Sequence, residues 1–129
     1  MKITQALMDD LTARAKESPR LRMNLDLRNS PEDQSQRVMN AVEPGSVVPI
    51  HRHPHSSETL ICLRGRLMEE FYDALGQLTE TIELSPGGDV VALNIPAGQW
   101  HTARALETGT VILETKEGKY EPTAAEDVR

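Results

Sequence analysis

The stretch from Gly45 to Gly65, G-SVVPI-H-R-H-PHSS-E-TLICLR-G, constrains this chain more than any other. His51 and His53 are two residues apart. In an extended chain alternate side chains share a face, so both imidazoles point the same way. Glu58 returns to that face once the chain turns through Pro54 to Ser57 and begins the next strand. A His-x-His pair in a loop is often no more than solvated, so the pattern needs a further donor. Pro96-Ala-Gly98-Gln-Trp-His101 supplies a tight turn and one more imidazole from a distant strand. Three imidazoles and one carboxylate suit a divalent transition metal (Fe, Mn, Ni, Co, Cu or Zn), whereas an all-oxygen set would suit Mg or Ca.

At 129 residues the chain has the length of one domain, spanning 1–129, and can bury a single core. Its 38% apolar residues suffice for that core, although 3% aromatic is thin. A net charge of −6 without clustered Lys and Arg excludes a nucleic-acid surface. The single cysteine, Cys62, has no internal disulfide partner and reads as a small buried hydrophobe. There is no charged-then-apolar leader and no apolar run of membrane-spanning length, so a cytoplasmic location and no membrane partner are expected.

Helical spacing of Leu7, Met8, Leu11 and Ala15 predicts a helix over 4–17, capped by Thr4 and stopped by Pro19. From Arg20 the period becomes two, with Leu21, Met23, Leu25 and Leu27 alternating with Arg22, Asn24, Asp26 and Arg28. Either the leucines join the core and the polar row is solvated, or the polar row faces the metal cavity and the apolar row packs under the helix. A further strand is expected over 37–42, then a ligand strand over 47–53. Later strands are expected over 59–63, 67–72, 77–84, 90–95 (short, apolar and covered on both sides), from Trp100, and over 110–116. His55 reads as a bystander beside the site or in solvent, and Trp100 as facing away from His101 into a core or subunit contact. Residues 121–129 are charged and read as a frayed tail. Strands about ten residues apart with turns between them indicate a sandwich or a closed barrel over 20–116.

Gly45-x5-His51-x-His53-x4-Glu58-x6-Gly65 resembles the first cupin motif, and Pro96-x-Gly98-x2-His101 resembles the core of the second. Two positions depart from the second motif: Gly88 lies far from Pro96, and Ala105 stands where an Asn is expected. The resemblance implies an all-β fold, the cupin double-stranded β-helix or jelly-roll barrel with an N-terminal helix. It also implies that His51, His53, Glu58 and His101 bind one metal ion, of identity Zn, Fe, Ni or Mn. Arg22-Met-Asn24, Pro49-Ile-His51-Arg-His53-Pro54, Trp100-His101-Thr102 and Glu114-Thr-Lys116-Glu-Gly118-Lys-Tyr120-Glu-Pro122 are together similar to the WbuC family of cupin-fold metalloproteins, which is associated with surface-polysaccharide clusters. That similarity implies a small polar, sugar-like ligand, and the cupin resemblance implies a homodimer.

Four protein donors leave one or two positions open on a five- or six-coordinate metal, where a hydroxyl, carbonyl or water can enter. Arg22, Asn24, Asp26, Glu114 and Lys116 are the candidate substrate-binding residues, the last two placed to serve as acid and base on one face of the final strand. The expected functions are a metal-dependent small-molecule enzyme of isomerase or epimerase type, a non-catalytic metal-dependent binding or sensor module, or an iron-dependent dioxygenase. No dedicated nucleophile, acid or base beyond the ligands separates them.

Overall fold

The computed structural model describes residues 1–129. A helix, α1 (Gln5–Glu17), precedes eight strands: β1 (Arg22–Asp26), β2 (Ser35–Val42), β3 (Glu58–Arg64), β4 (Leu67–Tyr72), β5 (Leu78–Leu84), β6 (Ala92–Ile95), β7 (Trp100–Ala105) and β8 (Thr110–Glu117). They form a five-stranded sheet in the order β1-β2-β8-β3-β6 and a three-stranded sheet in the order β5-β4-β7, with antiparallel pairing throughout. This is a jelly-roll arrangement with one N-terminal helix.

The helix starts where its sequence says it should: Thr4 Oγ1 accepts the amide of Leu7 at 3.1 Å. Its apolar stripe of Met8, Leu11 and Ala15 packs on Met39, Ala41 and Val111, on the outer face of the larger sheet. Because side chains alternate, the intervening residues of those strands face the interior. Val42, Leu60, Cys62, Leu67, Leu84, Ala105 and Ile112 form the core between the two sheets. The larger sheet is thus apolar where the helix covers it, while its inner side is apolar at one end and polar at the other.

The first polar row is explained by this arrangement. Met23, Leu25 and Leu27 pack under the helix, and Arg22 and Asn24 pair with Val42 and Asn40 on the opposite face. Cys62 is buried in the core, and burial raises its thiol above the usual range, in keeping with an inert packing role.

Three expectations are corrected. Residues 47–53 do not form a strand; His51 makes only isolated bridges, to His101 on one side and Val128 on the other. Pro49 and Pro54 remove amide donors from that segment, which keeps it out of a continuous ladder. The 90–95 stretch shortens to β6, an edge strand with Ala92 and Asn94 exposed, because nothing covers its outer face. The charged end of the chain is docked, not frayed. Ala125–Asp127 forms a 3-10 turn, and Asp127 is buried.

The charges that suggested a tail are the groups that hold it. Asp127 accepts Arg52 Nε at 2.7 Å, Arg129 donates to the carbonyl of Asp73 at 2.8 Å, and Arg52 and Arg129 sit over the Trp100 ring at 4.7 and 4.0 Å. No helix is long and apolar enough to cross a membrane.

Candidate metal centre

His51 and His101 come together because their backbones exchange both hydrogen bonds, at 3.0 and 2.9 Å. The other edge of the His51 segment is held by the end of the chain: the Arg52 amide donates to Asp127 at 3.0 Å and the Arg129 amide to Ile50 at 2.8 Å. The Gly98 amide closes on the carbonyl of His53 at 2.9 Å, which ties the β6–β7 turn to the His51–His53 segment. Gly98 has φ +82°, a conformation that costs glycine least. Glu58 enters from the first residue of β3, opposite Lys116 on β8.

The ligand atoms of His51, His53 and His101 lie within 4.8 Å of one another. Glu58 Oε1 is 3.1 Å from His101 Nε2, and its Oε2 is 3.7 Å from His53 Nε2. Metal bonds of about 2.0–2.2 Å at right angles put neighbouring donors roughly 3 Å apart, so the His101–Glu58 spacing fits two ligands of one ion.

Two rings have their tautomers fixed by the backbone. His51 Nδ1 donates to the carbonyl of Pro49 and His101 Nδ1 to that of Gln99, each at 2.8 Å. A carbonyl only accepts, so each Nδ1 carries the proton and, in the neutral ring, leaves a lone pair on Nε2. The Nε2 of His101 is buried, makes no hydrogen bond, and faces a carboxylate oxygen. Two buried acceptors at that distance require a cation, either a proton or a metal ion. The donor set fits a divalent transition metal on these grounds.

The local electrostatics run the same way. Desolvation lowers His51 and, helped by Lys116, lowers His53 to about 4, so both rings are neutral and able to ligate near neutrality. Burial opposes ionisation of Glu58, but His101, His53 and Lys116 together hold its carboxyl below the usual range.

The four donors open onto a cavity of about 220 Å³. Of the candidate substrate-binding residues, Arg22, Glu114 and Lys116 line it, whereas Asn24 and Asp26 lie outside the lining and are exposed. Asp26 is taken up by Arg28 in hydrogen bonds of 2.7 to 3.0 Å. Arg22 is tethered to Ser46 Oγ and the Val47 carbonyl at 3.2 and 3.0 Å. Lys116 Nζ lies 3.4 Å from both His53 ring nitrogens and 3.9 Å from Glu58 Oε2. His55 is exposed and opens onto a larger outer depression, also bordered by His53 and Lys116. Trp100 is buried between the two arginines, away from the cavity.

Sequence reasoning missed Asn40, Glu69 and Thr123 on the cavity wall. For Glu69 a signal existed: in Leu67-x-Glu69 the acid occupies the inward row, and Leu67 is fully buried. Glu69 is 1% exposed and one of its carboxyl oxygens has no partner.

In three dimensions the chain is similar to KdgF from a Halomonas species, with a TM-score of 0.63 and 20% identity, covering 80% of this chain and 84% of that one. It is similar to oxalate oxidase in complex with glycolate, with a TM-score of 0.65 and 16% identity over 84% of this chain and 57% of that one. A third likeness is to Bacillus subtilis oxalate decarboxylase, a protein with Mn(II) centres, with a TM-score of 0.60 and 18% identity over 83% of this chain and 27% of that one. The chain therefore spans about half of the oxidase and a quarter of the decarboxylase. At these identities the likenesses establish the fold, the cupin jelly roll. No curated protein is significantly similar in sequence. A family profile matches residues 3–84, which include the helix, His51, His53, Glu58 and Glu69 and end before His101. The chain belongs to that family, the domain of unknown function DUF6016.

Proposed function

We propose that the protein is a cupin-fold metalloprotein that binds one divalent transition metal ion, Zn, Fe, Ni or Mn, through His51, His53, Glu58 and His101. The observation that carries this reading is the buried Nε2 of His101, unpartnered and 3.1 Å from a carboxylate oxygen. A bound ion would act there as a Lewis acid toward a ligand oxygen. The chain's own part is to fix the ring tautomers through Pro49 and Gln99 and to line the cavity with Arg22, Glu114 and Lys116.

Burial raises Glu114 to about 7, with Glu58 adding to the rise, so this side chain exchanges a proton near neutrality. With Lys116 two residues away on the same face, it gives the cavity an acid–base pair. The reading extends to an isomerase- or epimerase-type enzyme acting on a small sugar-like molecule of surface-polysaccharide metabolism, as the WbuC resemblance implies, in a homodimeric, cytoplasmic protein.

Elemental analysis of protein purified without added metal, alongside His101→Ala, tests the centre. One equivalent of a transition metal is expected in the wild type, and affinity should fall by at least about 100-fold in the variant. Equal metal content in both would refute the ligand set. Screening the loaded protein against sugar phosphates and nucleotide sugars tests the rest: product formation supports the enzyme, and thermal stabilisation without product supports a binding or sensor module. Iron as the resident metal would move the reading toward oxygen chemistry.

A further inference from the structure

Glu69 is the one cavity residue whose burial no neighbour explains. It lies on β4 between Leu67 and Phe71, opposite Ala103 of β7, and one of its carboxyl oxygens makes no hydrogen bond although the side chain is 1% exposed. Arg66, three residues earlier, is spent on Glu83, and Arg22 is tethered to Ser46 and Val47. Buried polar groups in folded proteins are almost always paired, because an unmade hydrogen bond costs desolvation without return. A carboxyl group left in that state on a cavity wall is a group awaiting a ligand.

We propose that Glu69 is a ligand-recognising residue of this cavity, its carboxyl group taking one oxygen of a small compound that has a hydroxyl next to a carbonyl or carboxyl group. The proposal rests on the metal reading above for the ligand's other two oxygens: vicinal oxygens suit the two positions that four protein donors leave on a six-coordinate ion. The size agrees. A cavity of about 220 Å³ has room for roughly seven waters at about 30 Å³ each, enough for a few carbons of a ligand to enter beside the four donors.

The charged and titratable groups around the cavity are Glu58, Glu114, Lys116, Arg22 and the three imidazoles. In the metal-free protein, desolvation, with the charges of Glu58 and Glu114, raises Glu69 to about 9, so there it presents an O–H donor at neutral pH. A donor in that place selects an acceptor oxygen on the ligand, and an amide preserves that selection where an alkyl group does not.

The test uses wild type, Glu69→Gln and Glu69→Leu, each first titrated with zinc and then with glycolate and with glyceraldehyde, following thermal stability and heats of binding. Glu69→Leu is expected to melt at or above the wild-type temperature and to bind zinc within about 3-fold, because removing an unpaired buried carboxyl relieves a cost. It should bind the probes at least 10-fold more weakly, and Glu69→Gln should stay within about 3-fold of wild type. A melting temperature lowered by several degrees in Glu69→Leu would show a structural role and overturn the proposal, as would equal probe affinity in wild type and Glu69→Leu, or binding of neither probe to wild type. Failure of the wild type to bind zinc would sink the metal reading and this proposal with it, whereas zinc binding with equal probe affinity in wild type and Glu69→Leu would sink the proposal alone.

Discussion

His101 is held at one ring nitrogen by the Gln99 carbonyl and faces Glu58 with the other, so its side chain has one orientation and one open lone pair. Glu69 is the opposite case, a group with too few partners, and its environment gives a pH signature. Its carboxyl group is raised from an ordinary 4.5 to about 9 by burial, so between those values the folded protein holds a proton that the unfolded chain releases. Stability from this group is full below about pH 4.5 and is lost as pH rises toward 9. Glu114, raised to about 7, acts in the same direction, and His51 and His53, lowered by burial, act oppositely below about 6.5. All three are common to Glu69→Gln, so the difference between variant and wild type isolates Glu69. Urea midpoints of metal-free protein at pH 5, 7 and 9 should show Glu69→Gln gaining on wild type as pH rises, and a constant gap would show that Glu69 is ionised in the folded state.

Among the elements, the segment from Val47 to Ser57 carries two of the four donors yet belongs to no strand. Its rigidity is borrowed from β7 on one edge and from the docked end of the chain on the other. Asp127→Ala removes a buried acceptor of Arg52 and is expected to cost about 1–3 kcal/mol, read as a lower urea midpoint, together with weaker metal binding because His51 and His53 lose one of their two supports. Unchanged stability and metal affinity would show that the Asp127 carboxylate contributes nothing to the site. The β3–β4 turn is more demanding still. Gly65 has φ +83°, and a Cβ there would lie 2.6 Å from the Cα of Thr110. Gly65→Ala should therefore cost about 3 kcal/mol or more, seen as loss of soluble folded protein or a steep fall in melting temperature.

For the whole molecule, the consequence of the proposed metal centre, whose donors come from two segments far apart in the chain, is linkage between occupancy and folding. Zinc at 100 times its dissociation constant should add about 2.7 kcal/mol, which for a chain of this length is a rise of roughly 10 °C in melting temperature, reversed by chelator. No rise at any zinc concentration would argue against the centre. That His51, His53, Glu58 and His101 come together was legible in the sequence because spacing in a nearly extended chain and two proline-glycine turns are local properties, and so was the helix, whose cap and apolar stripe lie within a few residues of each other. The role of the end of the chain was not legible, because Asp127 and Arg129 read as solvated charges until Arg52 and Trp100, distant in sequence, supply their partners. Nor was the division of the first polar row: Arg22, Asn24 and Asp26 share one strand face by their period of two, and only packing against β2 and the 46–47 segment draws Arg22 to the cavity and leaves the other two outside it. Local periodicity determined which side chains point together. The tertiary structure decided which of those faces meet a cavity, a helix or solvent, because that depends on contacts between residues far apart in the chain.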